Sequence, residues 1–403
     1  MRAASLKIRM GVHVRIVLVL AAGLLWVPSL WGQRVSISLH DDLSVQAVRV
    51  IPQYAGYVLI TGERQFPLEF GATLDARREG EAVSLALNGT PLGVFAHAAL
   101  VNMDPEARFS LELTSPAGKT QVYDGNLSLY VDFGRLMTNN LVDQELYVAG
   151  VALAEIGGYA ELEMYKAQIL LIRTYLMANG SRHITEGYNL CDQTHCQAYQ
   201  GSAFRYPKIG QAAKATQGQV LVDRNGRLIN SVFHANCGGE TASAGDVWLV
   251  HNDYLRARRD PYCRRSRGAV WRATIPLAKW KHFLQSKGVR TAQIGRGGYN
   301  FRSDRREALY TLSGGVAVPF RDLREYFKLK SAWFDVRVSG DKVLLEGRGY
   351  GHGIGLCQEG AMRMAVEGKT VEEIVAFYLS GVRVVPTEEA IAVARGVPTV
   401  RAA

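Results

Sequence analysis

Cys191, His195 and Cys196 stand within six residues of one another in NLCDQTHCQAYQG, residues 189–201. Three chemistries explain such density: a metal site, a disulfide, or a thiol nucleophile with its base. The two cysteines are separated by four residues, a spacing used by paired thiolate ligands of zinc. His183, eight residues before Cys191, completes an N/S ligand set, with His234 as a substitute for it. Two thiolates and two imidazoles close a tetrahedral shell and leave no position for water, so the metal would be structural. A local Cys191–Cys196 disulfide competes with this reading in an oxidising compartment. A nucleophilic Cys196 fits no familiar local pattern, and the deaminase arrangement of H-x-E followed by P-C-x-x-C is absent.

A carboxylate is the other candidate for chemistry. Glu155 follows the apolar segment VALA and precedes Gly157 and Gly158. Apolar surroundings lift a carboxyl pKa toward neutrality, as a group serving first as acid and then as base requires. The competing reading is a structural glutamate near a helix end, satisfied by Lys166 or Arg173.

The elements that must position these residues are helical on one side and extended on the other. DQELYVAGVALAEIGG and AELEMYKAQILLIRTYLMANG read as helices. In the second, Leu162, Tyr165, Ile169, Ile172 and Leu176 form an apolar stripe at helical spacing. Gly180 sits where a C-cap glycine belongs. Lys166 and Arg173, seven apart, share one face of that helix. Arg173 is enclosed by apolar residues, which points to a buried guanidinium: a structural ion pair, or an arginine held toward a cleft. Before the helices, VSISL, GYVLITG, AVSLAL, FSLEL and NLSLYVDF read as strands between turn residues. After the cysteine segment, QVLVD and LINSVFHA flank Asn225–Gly226 and predict a β-hairpin. Thr370 and Glu373 form a capping box opening a helix near the C-terminus.

The first residues set the compartment. Arg2, Lys7, Arg9 and Arg15 precede an apolar run over 16–27, and Pro28, Ser29 and Gly32 follow it. This is the shape of a secretory signal, too short for an ordinary membrane span of about 20 apolar residues; an uncleaved signal anchor is the alternative. The reading is of an exported protein of the periplasm or cell envelope, meeting the membrane only through this segment if it is not cleaved. The 403 residues carry a formal net charge of +10, and 255–267 alone holds six arginines. For an exported protein, the anionic partners are cell-wall polymers and membrane surface rather than nucleic acid. Five cysteines in a chain of this length exclude a disulfide scaffold. Cys237 and Cys263 are expected to form a bridge, which leaves Cys357 without a partner. The expected class is α+β: an export segment over 1–32, a β-rich module over 33–135, a mixed α/β domain with a cleft over 136–385, and a loose tail over 386–403.

Four stretches, in order, resemble the SpoIID/LytB family, the stage II sporulation protein D and amidase-enhancer type of cell-wall protein. In the first, Glu155 follows a small residue, and Glu163, Lys166, Ala167, Gln168, Arg173, Thr174 and Tyr175 match the family's E-x-x-K-A-Q and R-T-Y in register. The others are CDQTHCQAYQG, FHANCGGETASAGDVW and GRGYGHGIGLCQEGAMRMAVEGKTVEEIVAFYLSGV. The match spans residues 144–382, and the β-rich region before it is not well covered. The resemblance implies binding of peptidoglycan glycan strands. In members that are enzymes it also implies a lytic transglycosylase, which cleaves the MurNAc–GlcNAc bond and closes a 1,6-anhydro ring. The catalytic glutamate carries over to Glu155. The family has Ser-Glu-Met-Pro there, whereas this chain has Ala154-Glu155-Ile156-Gly157, so the acid is kept and the turn chemistry is not. That departure favours the alternative of a non-catalytic binder that enhances a partner cell-wall amidase.

Metal-bearing members place zinc on the cysteine segment, close to the carbohydrate. Cys191, His195 and Cys196 carry over as ligands, joined by His183. Lys166 and Arg173 are expected to face the substrate. GYGHGIGLCQEG fits neither the Walker nor the dinucleotide glycine spacing, so its glycines are expected to let backbone or glycan approach. His352 and Gln358 are candidates to donate to sugar hydroxyls, against a core-histidine reading of His352. Tyr188 and Tyr199 are candidate stacking platforms for sugar rings.

Overall fold

The computed structural model describes residues 33–53, 56–248, 250, 252–264, 266 and 268–394. The expected export segment, 1–32, and the end of the tail, 395–403, lie outside the described residues. Among those described, no helix is long and apolar enough to cross a membrane.

Alternation of apolar and polar residues turns the first hundred described residues into two sheets. One carries the order Arg34–Ser38, Arg135–Asp143, Asn126–Asp132, His97–Asn102, Tyr57–Thr61, Arg64–Leu68. The other runs Ala117–Asp124, Arg108–Ser115, Ala47–Pro52, Leu74–Glu79, Ala82–Leu87, Thr90–Phe95. Neighbours within each are antiparallel. Ile37, Leu59, Leu100 and Leu129 of the first sheet and Val50, Leu74, Val83 and Leu111 of the second are buried in one continuous core. Edge strands expose pairing groups, and here the free edge of Arg34–Ser38 is covered by Leu190–Cys191, which adds in parallel with Ser38 opposite Cys191. The β-rich region therefore holds the cysteine segment directly.

The chain passes from strand Arg135–Asp143 straight into helix α1 (Gln144–Ile156), where the Asp143 carboxylate accepts the Glu145 N–H at 2.8 Å. Helix α2 (Leu162–Asn179) carries the expected stripe, but Ala167, Gln168, Leu170, Leu171, Arg173 and Thr174 are buried too. It packs against α1, against helix α3 (Pro207–Ala215) and against helices Gln358–Val366 and Val371–Tyr378, so it is covered almost all round. Each fully buried Leu or Ile on it contributes about 1.5–3 kcal/mol relative to exposure. Gly180 ends α2 in the right-handed region, not the left-handed one. A Cβ there would stand 2.8 Å from the Leu176 carbonyl oxygen, so close approach is what selects glycine.

Residues 270–348, which the sequence pattern leaves unassigned, form a second core. Strands Val270–Pro276, Lys342–Arg348 and Phe334–Ser339 make an antiparallel sheet in that order. Trp280, Phe283, Tyr310, Phe320 and Leu323 pack beneath it. The whole is of mixed α+β class with a strand-rich N-terminal region. Two local expectations fail. Strand Gln219–Val222 pairs mainly with Arg383–Pro386, and the expected hairpin is reduced to one bridge, Val222 to Leu228. The remote partner brings buried Val385 onto Val220 and Val222, a gain the local turn cannot match. For the same reason 387–394 is not a loose end: helix Thr387–Ala394 buries Ala390 in that small core. The capping box of Thr370 and Glu373 is present.

Candidate functional site

His183, Cys191, His195 and Cys196 converge, with one ligand atom from each lying within 4.8 Å of the others. Cys196 Sγ is 3.4 Å from His183 Nε2 and 3.7 Å from His195 Nδ1, and Cys191 Sγ is 3.8 Å from His195 Nδ1. A zinc tetrahedron with ordinary Zn–S and Zn–N bonds puts its corners roughly 3.3–3.8 Å apart. The residues fit that ion, and the two thiols are not joined to each other.

Their support comes from the sheet and from a carboxylate. Cys191 is fixed by pairing with Ser38, Asn189 by a 2.8 Å bond from the Ser36 N–H to its side-chain oxygen, and Asp192 by the His40 N–H at 2.7 Å. His183 Nδ1 is 2.7 Å from Glu186 Oε1. That leaves Nε2 for the metal, the arrangement in which an acceptor fixes the ring and its tautomer. Tyr188 is buried, stacks on the His183 ring at 5.0 Å and donates to Glu186 at 2.8 Å. It braces the ligand, and its ring has no face to offer a sugar. His234 is not a substitute ligand: it is buried elsewhere, with Nδ1 3.0 Å from the Ile354 carbonyl oxygen.

Glu155 ends α1. Burial pushes its carboxyl pKa above the ordinary range, opposed by a hydrogen bond from the Ala198 N–H. Ala198 lies two residues beyond Cys196, so the cysteine segment runs from the candidate ligands to Glu155. Gln197 anchors the stretch between them, accepting from the Tyr147 hydroxyl at 3.3 Å and donating to the Ile172 carbonyl at 3.4 Å. Tyr199 is buried beside Tyr147 and donates to Asn140 Oδ1 at 3.0 Å, so it too is scaffold rather than a stacking platform. Gly150 of α1 lets this segment close in, because a Cβ there would meet the Gly201 carbonyl oxygen at 2.3 Å.

Past Glu155 the chain turns at Gly157, which has a positive φ of 72°. The Tyr165 hydroxyl donates to the Gly157 carbonyl at 2.7 Å and accepts the Ala160 N–H at 3.1 Å. Gly158 abuts the Tyr206 ring so closely that a Cβ would stand 2.0 Å from it. The turn that lacks Met-Pro is thus pinned by tyrosines from α2 and from the residue capping α3. Between these pins Tyr159 is 98 % exposed. No spacing rule singles out Tyr159 or Tyr206, and Tyr165 stands out only as a member of the apolar stripe of α2; two glycines beside an acid are the hint that something fills the space.

Other expected substrate contacts are occupied within the protein. Arg173 is completely buried and makes a two-pronged pair with Glu145, with Nε to Oε1 at 2.9 Å, besides donating to the Gln219 carbonyl. It cannot reach a ligand. Lys166 bonds Glu163 at 2.6 Å, whose other oxygen accepts the Val371 N–H. Gln358 is buried and donates to Gln168 Oε1 at 3.4 Å. His352 accepts the Ile354 N–H at 3.1 Å, bonds the Phe233 backbone and is pushed down to about 4, chiefly by burial. It is a neutral, partly buried histidine with both nitrogens committed. A depression of about 830 Å³ opens on the second core among Arg272, Phe301, Arg302, Arg337 and Arg348, without Glu155.

The expected Cys237–Cys263 bridge is corrected as well. The sulfurs lie 3.2 Å apart and unbonded, and Cys357 joins them with Asp260 in a second buried group.

The sequence pattern of the family described as Stage II sporulation protein, SpoIID, matches residues 133–222. That span runs from the last strand of the first sheet through Glu155, α2, the metal-ligand candidates and α3. The chain is similar to the stage II sporulation protein D of Bacillus amyloliquefaciens, 30 % identical over 254 residues, covering 59 % of this chain and 73 % of that protein. To the stage II sporulation protein D of Bacillus subtilis it is 29 % identical over 255 residues, covering 60 % and 74 %. To the Bacillus subtilis amidase enhancer it is 23 % identical over 287 residues, covering 58 % and 39 %. This chain belongs to the SpoIID family.

Proposed function

We propose that the chain is an exported lytic transglycosylase of peptidoglycan, with Glu155 as its single acid and base. The observation that carries this reading is the state of that carboxyl: half-buried, raised by burial, with no neighbouring carboxylate contributing to the shift. Hydrolysis with two carboxylates requires a second acid facing the first, whereas ring closure by the sugar's own hydroxyl does not. Protonated Glu155 gives its proton to the glycosidic oxygen as the bond to the MurNAc anomeric carbon breaks. The carboxylate left behind takes the proton of that sugar's 6-hydroxyl, whose oxygen bonds the anomeric carbon and closes the 1,6-anhydro ring. The Ala198 N–H holds the carboxylate in place through both steps. Tyr159, exposed four residues beyond Glu155, supplies an aromatic face for a sugar ring.

Zinc on His183, Cys191, His195 and Cys196 is structural in this reading, since four protein ligands leave no open position. It fixes the segment that carries Ala198. Residues 1–32 serve as export signal or anchor.

The second reading is a non-catalytic wall-binding protein that acts with a cell-wall amidase. Its supports are the similarity to an amidase enhancer and the Ile156–Gly157 turn in place of Met-Pro. Digestion of purified glycan strands, with and without stem peptides, separates the two. The enzyme reading requires 1,6-anhydro ends from wild type and far fewer from Glu155→Gln; equal background from both proteins sinks it.

A further inference from the structure

We propose a second structural metal site, of the thiolate-rich kind that takes zinc, formed by Cys237, Asp260, Cys263 and Cys357. One ligand atom from each lies within 4.8 Å of the others, and all four residues are buried. Cys237 Sγ is 3.2 Å from both Cys263 Sγ and Asp260 Oδ2, and the Cys237 N–H points at Cys357 Sγ, also at 3.2 Å. The ligands come from three separate stretches: the turn after strand Phe233–His234, the arginine-rich loop 255–267, and the residue that opens helix Gln358–Val366.

Chance packing of small apolar thiols does not account for Asp260. A fully buried carboxylate is costly unless paired, and among the described residues no cationic side chain bonds it. Its contacts are instead those of an oriented ligand. The Tyr378 hydroxyl donates to Oδ2 and the Tyr262 N–H to Oδ1, each at 2.8 Å. Helix Gln358–Val366 makes room for it with Gly360, where a Cβ would stand 2.4 Å from Oδ2. The guanidinium of Arg306 closes over the group, donating to the Cys237 and Glu240 carbonyls at 2.7 Å each. A divalent ion on three thiolates and one carboxylate keeps a net charge of −2, as a four-cysteine zinc site does. Thiolates select a soft ion over calcium or magnesium, and four protein ligands leave no position for substrate. The ion would tie the arginine-rich loop, which among its described residues has no helix or strand of its own, to the C-terminal helices. A Cys237–Cys263 disulfide would instead leave the Cys357 thiol and the Asp260 carboxylate buried together with no ion on them, since the Arg306 guanidinium beside the group is bonded to the Cys237 and Glu240 carbonyls.

The test is zinc stoichiometry of the full chain purified without chelator, with cysteine counting by alkylation under denaturing, non-reducing conditions. The expected result is two zinc ions per chain and five alkylated cysteines in wild type. Cys357→Ser and Asp260→Asn should each lose one zinc, and His195→Ala should lose the other. Unchanged zinc content in Cys357→Ser overturns the proposal, as does alkylation of three cysteines with the Cys237 and Cys263 peptides joined. Should those variants not fold, the Cys191→Ser/Cys196→Ser protein loaded with cobalt(II) gives an independent reading. A thiolate-to-cobalt charge-transfer band there supports the second site, and its absence in folded protein refutes it.

Discussion

The Ala198 N–H donates to the Glu155 carboxylate, and Ala198 follows Cys196 by two residues. One short loop thereby couples a candidate metal site to a candidate acid. The sheet that carries Ser38 anchors the same loop through Cys191.

Removing the acid tests the chemistry. Glu155→Gln should lower the yield of 1,6-anhydro ends by about 10²–10⁴-fold, the range for a positioned general acid. On the proposed mechanism the protonated form starts the reaction. Because burial raises this pKa, activity should persist above the ordinary carboxyl range and fall as pH rises through the shifted value. A flat pH–rate profile across that range would contradict the assignment.

The same shift has a stability sign. A carboxyl whose folded pKa lies above its unfolded value contributes stability below the unfolded pKa and loses it as pH rises through the folded one. Glu155→Gln should therefore melt at or above the wild-type temperature at pH 8, with the gap closing toward pH 4. Thermal melts at the two pH values decide it.

Glu186 is set to orient His183. Losing such an acceptor typically costs about 10–100-fold in metal affinity, so Glu186→Gln should lose zinc to a competing chelator at correspondingly lower chelator concentration. Glycan cleavage should fall with zinc loss because Ala198 loses its fixed position. Retention of full activity by chelator-stripped protein would separate the metal from the acid.

Arg173 should matter for folding and not for ligand contact. Removing one partner of a buried pair costs about 3–5 kcal/mol, and Arg173→Ala should show that loss in urea unfolding. Arg173→Lys should rescue little, since an ammonium cannot reproduce the planar two-pronged contact with Glu145.

The turn after Glu155 depends on one hydroxyl. Tyr165→Phe leaves the buried Ala160 N–H without its acceptor, at about 1–3 kcal/mol. It should lower kcat for anhydro-end formation more than it raises KM, because the acid is displaced rather than the binding surface removed. Equal kcat in the folded variant would show that the turn does not position Glu155.

Much of this was legible in the residues. The strands of the first region, α1 and α2, the capping box of Thr370 and Glu373, and the grouping of His183 with Cys191, His195 and Cys196 follow from periodicity and spacing over a few turns of chain. Substrate assignments to Arg173, Tyr188, Tyr199 and Gln358 did not survive, because type and motif position do not report burial. The hairpin at Asn225–Gly226 failed because a local turn rule cannot see strand Arg383–Pro386 arriving from the end of the chain.

By itself, then, the sequence determined the family and the α+β class and nominated an acid and one metal-ligand set, each carried by short-range pattern. Tertiary structure decided what those residues touch. It placed Cys191 beside Ser38 and Cys357 beside Cys237, contacts that span more than a hundred residues. The reason is physical: burial and pairing between distant segments depend on which surfaces exclude water together, and no local spacing encodes that.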